Sequence, residues 1–499
     1  MKVNQLKSGV ILSYVSKIIQ IVVGILYTPL MIRLLGQSEY GLYNIAASII
    51  SYLGVLNFGF GSAYMRFYSR YRVNADQKKI ANLNGMFIEI FTILGLLAVI
   101  AGIGIVNNVD ILFGPSLTAN EIELAKILIS ILVINLAFSF PTVVFTTYIQ
   151  AQEQFIVQNL IMIFNQITTP LITFPLLLMG YGSVGLVVGT TLVSVVTNLY
   201  TVYFAIRKSD MKISFKEFDW SLFKEMSNFS FFVFINMVVD QINNNVDKTI
   251  LGRYQGTTSV AIYSVGSNLN NYYTQLSTSV SSVFIPRVHR MEAKNSSNEE
   301  FSNLFIKVGR IQFILLSLIV TGFIIFGQSF INLWAGSGYS ESYYVAVILM
   351  FTITTPLIQN LGIEIQRAKN KHHFRSILYI AMAILNVMLS IPLSQRYGAL
   401  GSTIGTAISF VVGNGLIMNW YNQTKVGLDI KRFWFEILKL FPSLILPLIY
   451  GLTIINLVDI YSPFNLIVYG SIYVIVFAFS LWIFGLNDYE KNILKNPFK

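Results

Sequence analysis

Runs of apolar residues long enough to cross a bilayer recur from one end of the chain to the other, separated by short polar stretches. A hydrocarbon core of about 30 Å needs about 20 helical residues at ~1.5 Å each. Fourteen segments meet that length: 10–32, 41–60, 84–106, 122–148, 155–179, 183–206, 227–251, 258–285, 301–327, 342–366, 375–394, 398–421, 434–456 and 463–485. Backbone groups in lipid must find partners within their own segment, so each is expected to be a helix. The expected fold class is an all-α polytopic membrane protein with about fourteen transmembrane helices. The opening MKVNQLKSGVILSYV reads as the first of them, since its apolar stretch is too long for a leader and no small-residue cleavage site follows.

Charge then orients the helices. Alternation puts every second loop on one side, and the cytoplasmic side should collect the basic residues. One side holds all but six of the 34 lysines and arginines, including Arg66, Arg70 and Arg72, the group from Arg207 to Lys224, Lys307, Arg310 and both termini. Arg33, Lys126, Arg253 and Arg396 lie near the other face, and Lys17 and Lys248 within helices. Both termini are therefore expected in the cytoplasm, with a bacterial cytoplasmic (inner) membrane as the expected location. The net charge of +11 reads as topology and attraction to membrane lipids rather than as a nucleic-acid site. With 54% hydrophobic and 11% charged residues, the chain cannot cover a water-facing surface. The absence of cysteine excludes disulfides and thiolate chemistry. The loop histidines His289, His372 and His373 read as solvated, and no cofactor or metal is expected.

An internal repeat divides the helices. YGSVGLVVGTTLVSVVTN at 181–198 aligns without gaps on YGALGSTIGTAISFVVGN at 397–414, an offset of 216, and the same offset carries Leu35-Gly36 onto Leu251-Gly252. Six helices per repeat gives two lobes of the same orientation. The expected domains are a six-helix lobe at 1–208, a second at 209–424, and two further helices with a tail at 425–499. Gly185 with Gly189, and Gly401 with Gly405, are spacings that let helices approach closely. Parallel-repeat lobes suit a transporter working by alternating access.

Polar stripes give the candidate site. In the seventh helix Asn236, Asp240, Asn243, Asn244 and Asp247 share a face, beside Lys248; such groups are costly against acyl chains and should face protein or water. The first helix offers Ser13, Lys17, Gln20, Gly24 and Thr28, the second Asn44, Ser48, Ser51 and Asn57, and the eighth Asn268, Asn271, Tyr272 and Gln275. Helices one, two, seven and eight are the expected cavity lining. Asp240, deep in its helix, is the candidate for ion coupling or substrate positioning, with an interhelical hydrogen bond as the plain alternative. Lys17 is a cavity cation or a snorkelling side chain. Lys248 sits near an outer end, where anchoring is the simpler role.

The stretch GILYTPLMIRLLGQSEYGLYNIAASIISYLGVLNFGFGSAYMRFYSRYR resembles the opening of polysaccharide transporters in the MOP exporter superfamily. NNNVDKTILGRYQGTTSVAIYSVGSNL followed by VFIPRV is similar to the start of their second lobe. The resemblance implies a V-shaped pair of lobes that flips an undecaprenyl-pyrophosphate-linked oligosaccharide from the cytoplasmic to the outer leaflet. By likeness to lipid II flippases it also implies cavity cations for the diphosphate and a groove for the lipid tail at the last two helices. Lys17 stands at the matching first-helix position, with Arg66 and Arg290 as further candidates. Expected partners are the lipid-linked oligosaccharide, polysaccharide polymerase and glycosyltransferases of the same pathway, and a coupling Na+ or H+.

The rival in the same superfamily is a multidrug antiporter, which needs an acidic cavity and keeps Asp240 and Asp247 in view. A membrane polymerase or glycosyltransferase would place catalytic groups in a large outer loop. The longest one here, around NNVDILFGPSLTAN, carries one Asp and no His. No Walker motif occurs, so the chain is read as a transporter and not an enzyme.

Overall fold

The computed structural model describes residues 5–495 apart from 115, 217 and 372. His372 and the terminal Lys2 and Lys499 lie outside the described residues. In order the helices are α1 (Gln5–Gly54), α2 (Phe60–Val73), α3 (Gln77–Asn107), α4 (Val109–Phe113), α5 (Ala119–Ala151), α6 (Phe155–Leu178), α7 (Gly182–Tyr203) and α8 (Trp220–Tyr254). They continue with α9 (Gly256–Ser282), α10 (Ile285–Ala293), α11 (Asn298–Trp334), α12 (Ser342–Ile358), α13 (Asn360–Ala368), α14 (His373–Phe410), α15 (Met418–Tyr421), α16 (Ile430–Leu438), α17 (Pro442–Leu457), α18 (Pro463–Phe484) and α19 (Asp488–Lys495). No strand occurs among the described residues.

Among the described residues ten helical stretches are long and apolar enough to cross a membrane, and α16 with α17, bent by 42°, makes an eleventh. Two of the ten are double. Ser8–Val73 runs for 66 residues and His373–Val426 for 54, whereas one crossing takes about 20. The first breaks at Gly36 (φ 74°, ψ 176°) and the second at Gly398 (φ 57°, ψ −134°). A Cβ is excluded from both conformations, so glycine is what turns each long helix into two crossings. The predicted segment that these stretches leave out, 258–285, is helix α9, rich in Asn, Ser, Thr and Tyr. All fourteen predicted segments are helical.

Local sequence explains the ends. Thr118 and Ser297 close capping boxes with Glu121 and Glu300, starting α5 and α11. Asp76 caps α3 by accepting from the Lys79 amide at 3.0 Å, and that bond, with the Lys79 ammonium at 3.4 Å, holds the Asp76 carboxyl below its usual range.

The 216-residue offset has a backbone counterpart. Gly182 and Gly398, which it pairs, both have positive φ, at 53° and 57°. A Cβ on Gly189 would meet Thr173 at 2.7 Å, and one on its partner Gly405 would meet Ser390 Oγ at 2.5 Å, so each glycine admits the preceding helix. The Leu35-Gly36 and Leu251-Gly252 match behaves differently. Gly252 lies inside α8, packed near Ile45 and Phe113, and the break in the second half comes four residues later, at Gly256 (φ 80°).

Packing divides the chain into two compact units, Met1–Ala261 and Ile262–Lys499, with the boundary inside α9. This is a division by contact and differs from the one at 208/209 and 424/425, which rests on kinship between halves. In the first unit α8 packs on α1 and α2, and α3 and α5 sandwich an aromatic core with α2 that includes Phe60, Tyr64, Phe67, Phe87, Phe91 and Phe140. Asn84, a fully buried polar group beside this core, is held on both sides, accepting from Tyr64 Oη at 2.5 Å and donating to Lys212 O at 2.8 Å. In the second unit α11 is the hub, packed by α12, α13, α16, α17 and α18.

Candidate functional site

The first unit holds one part of the predicted site. α1 begins at Gln5, so Lys17 stands about 18 Å along it. Lys17 is half-buried and Gln20 exposed. The neighbouring Ser16 is buried and pairs with Gln166 of α6 at 3.4 Å. On α8, Asn236, Asp240 and Asn244 are exposed on one face, Asn243 and Lys248 are half-buried, and Asp247 is 1% exposed. Asp240 lies about 30 Å from the start of α8 and about 21 Å from its end, well inside the helix. The stripe thus divides: its middle remains accessible, while at Asp247, nearer the end of α8, it turns into protein. Asn244 donates to Asp240 O at 2.7 Å, and Thr249 of α8 reaches Tyr52 Oη of α1 at 3.3 Å.

The second helix contributes less open polarity than its sequence suggests. Asn44 is buried and donates to Tyr40 O at 2.8 Å, and Ser48 is buried and donates to Ile45 O at 2.7 Å. Both satisfy themselves on their own backbone, as short polar side chains in helices do. Arg66 is exposed and lies over Phe229 of α8, 5.1 Å from the ring centroid.

At the opposite end of α1 from Lys17 a carboxylate joins three elements of this unit. Glu121 of α5 accepts from Ser38 of α1 at 2.5 Å and from Thr257 of α9 at 2.8 Å. Nearby, Arg253 of α8 donates to the carbonyls of Ile111 and Leu112 in α4. None of these contacts is visible in any local pattern.

The second unit holds the rest. Asn268, Tyr272 and Gln275 are half-buried on α9, Asn271 is exposed, and Arg290 is exposed on α10. Gln275 O accepts from Ser279 Oγ at 2.8 Å within the same helix. This unit also has an apolar groove of about 700 Å³, walled by Phe313, Val320 and Ile324 of α11, Phe351 of α12, Trp434 of α16 and Leu448 of α17. The groove lies where the thirteenth predicted helix meets the ninth and tenth.

A buried ion pair in this unit went unnoticed in the sequence, where Arg310 reads as one more basic-side cation. Arg310 is 3% exposed and Glu490 5%. Its Nε and Nη2 meet the two carboxylate oxygens at 2.7 and 2.8 Å, Nη1 donates to Glu436 O at 2.7 Å, and Nη2 also donates to Gly485 O at 3.0 Å. The only sequence signal is an arginine inside an apolar helix.

A family model described as polysaccharide biosynthesis protein matches residues 6–292. A putative O-antigen transporter of Shigella flexneri is 21% identical over 398 residues, covering 78% of this chain and 90% of that protein. A probable low-salt glycan biosynthesis flippase of Haloferax volcanii is 21% identical over 211 residues, 42% of this chain and 44% of that one. Among solved structures, a lipid II flippase in an inward closed conformation superposes with a TM-score of 0.71 at 16% identity, covering 98% of both chains. An inward-facing multidrug resistance MATE transporter of the MOP superfamily gives 0.61 at 15% identity, covering 83% of this chain and 99% of the other.

Proposed function

This chain belongs to the polysaccharide biosynthesis protein family, and on that premise we propose that it is a flippase for a lipid-linked oligosaccharide, carrying it from the cytoplasmic to the outer leaflet by alternating access. The observation that carries the reading is kinship with an O-antigen transporter along 90% of that protein's length. The membrane is a bacterial cytoplasmic membrane with both termini inside, the arrangement the basic loops favour. The repeat supports two lobes at 1–208 and 209–424, followed by an appended pair.

Chemistry suits the cargo. A diphosphate needs charge-assisted donors, sugars need amide and hydroxyl partners, and a polyprenyl tail can stay in an apolar channel. Lys17, Arg66 and Arg290 are the proposed phosphate partners. Gln20, Asn44, Asn236, Asn243, Asn244, Asn268, Asn271, Tyr272 and Gln275 are the proposed sugar-side lining, with Asp247 and Lys248 at its outer margin; Asn44, already bonded to its own helix, is the weakest of them. Asp240 is proposed as the coupling group for Na+ or H+. An inside-negative potential alone favours outward passage of an anion, by about 2.3 kcal/mol per charge per 100 mV. Polymerase and glycosyltransferases of the same pathway are the proposed protein partners.

The test is reconstitution into vesicles with a lipid-linked oligosaccharide, following leaflet exchange and glycosidic products together. Exchange without new glycosidic bonds is expected; new bonds without exchange would overturn the reading. In the same assay Lys17→Ala and Asp240→Ala should each slow exchange about 10-fold, the scale of one lost charge-assisted bond, while elution and melting stay at wild-type values. Wild-type rates in both variants would remove them from the site. The MATE likeness and Asp240 favour a second reading, a drug–cation antiporter, which predicts ethidium export by the same vesicles.

A further inference from the structure

We propose that the end of the second unit remote from Arg310 carries a site for a small organic ammonium ion, a protonated alkylamine, held by one carboxylate between tyrosine rings. A cavity of about 450 Å³ lies there, lined by Gln328 of α11, Tyr343 and Tyr344 of α12, Ile455 of α17, and Asp459 and Tyr461 of the link to α18. Gln328 stands roughly 27 Å beyond Arg310 along α11 at ~1.5 Å per residue, close to the ~30 Å depth of the hydrocarbon core. The cavity and Arg310 therefore lie near opposite membrane surfaces, and the basic loops favour the outer one for the cavity. Packing sets its walls. Tyr343 donates to Ile324 O at 2.7 Å, and its ring lies on Phe323 at 5.9 Å between centroids and edge-on to Tyr344 at 5.0 Å. These rings are held before any ligand arrives, which lowers the cost of binding. Tyr344 and Tyr461 are exposed, so their faces can be reached.

Charge selects the ligand. The exposed Asp459 accepts from the Tyr461 amide at 2.9 Å through Oδ1, and among the described residues no basic side chain stands within ion-pairing distance of it. No lysine, arginine or histidine lines the cavity either. Gln328 Oε1 adds an acceptor that is shut off from water and has no hydrogen-bond partner among the described residues. A carboxylate, a spare acceptor and π faces together attract a cation that brings its own N–H donors. A phosphate would meet a like charge and no cation, so an anionic or zwitterionic lipid head does not suit the pocket. A hard divalent ion takes about six oxygen ligands, which one carboxylate among rings and isoleucines does not supply. The alkyl part of an amine has Ile455 and Ile460 to lie against. The whole pocket belongs to the second unit, so the inference requires neither the proposed cargo nor transport.

Ligand-observed NMR titration of the full chain in an uncharged detergent tests it, with butylammonium as the probe and butanol as the uncharged control of equal chain length. Butylammonium should bind about 10-fold more tightly, the scale of one charge-assisted bond. Asp459→Asn should bring it down to the butanol level; the side chain is exposed and asparagine keeps an acceptor for the Tyr461 amide, so elution and melting should be unchanged. Tyr461→Leu, which removes a ring but no charge, should weaken binding about 2- to 5-fold. Asp488→Asn, at an exposed carboxylate on α19, should change nothing. Equal binding of butanol, indifference to Asp459→Asn or Tyr461→Leu, or an equal loss in Asp488→Asn would each overturn the proposal. So would displacement of butylammonium by glucose at matched concentration, which would make the pocket a sugar site.

Discussion

Arg310→Ala is expected to lower the stability of the folded chain by about 3–5 kcal/mol, because it leaves the carboxylate of Glu490 buried and unpaired. The pair is almost free of solvent, with side chains 4% and 6% exposed, so solvent screening does little to soften the loss. Arg310 also satisfies the carbonyls of Glu436 and Gly485, and through these bonds it ties α11 to α16 and to the segment that leads into α19. Glu490→Ala should cost a similar amount by stranding the guanidinium. Arg310→Leu/Glu490→Leu should cost much less than the sum of the singles, since two apolar groups leave no buried charge behind. Thermal melting of the purified protein reads all three, and single variants that melt with the wild type would show that the pair contributes nothing.

The second large effect is expected at Gly401. A Cβ there would stand 1.9 Å from Leu393 O and 2.3 Å from its carbonyl carbon, and these are backbone atoms of the preceding helix segment, not the end of a flexible side chain. Gly401→Val must therefore push two helix segments apart, at a cost of about 3 kcal/mol or more. Gly470 in α18 is the matched control, with nothing within 4 Å of its would-be Cβ. Gly470→Ala should be neutral or stabilising by about 0.5–1 kcal/mol, through helix propensity alone. A Gly401→Val protein that melts with Gly470→Ala would mean that the close approach is not required.

Much of this molecule could be read locally. The repeat identified in the sequence around Tyr181 and Tyr397 locates both the paired glycines that admit neighbouring helices and the paired positive-φ residues Gly182 and Gly398. The match of Gly36 with Gly252 preserves a residue type but not a conformation: only Gly36 needs its unusual backbone, while Gly252 serves close packing inside α8 and the turn falls at Gly256. The polar stripe on α8 was visible by spacing, yet spacing alone could not reveal that Asp247 turns into protein while Asp240 stays accessible, nor that Asn44 satisfies itself on Tyr40.

The sequence by itself determined that this chain lives in a bilayer as about fourteen helices, because span length, apolar composition and backbone self-satisfaction are properties of each segment alone. Only the tertiary structure decided which face of each helix meets protein. In lipid, a leucine against acyl chains and a leucine against another helix are equally apolar, so hydropathy carries no record of the difference. That is why the apolar groove along α11, and an ion pair whose partners stand 180 residues apart, emerge only when the helices are packed.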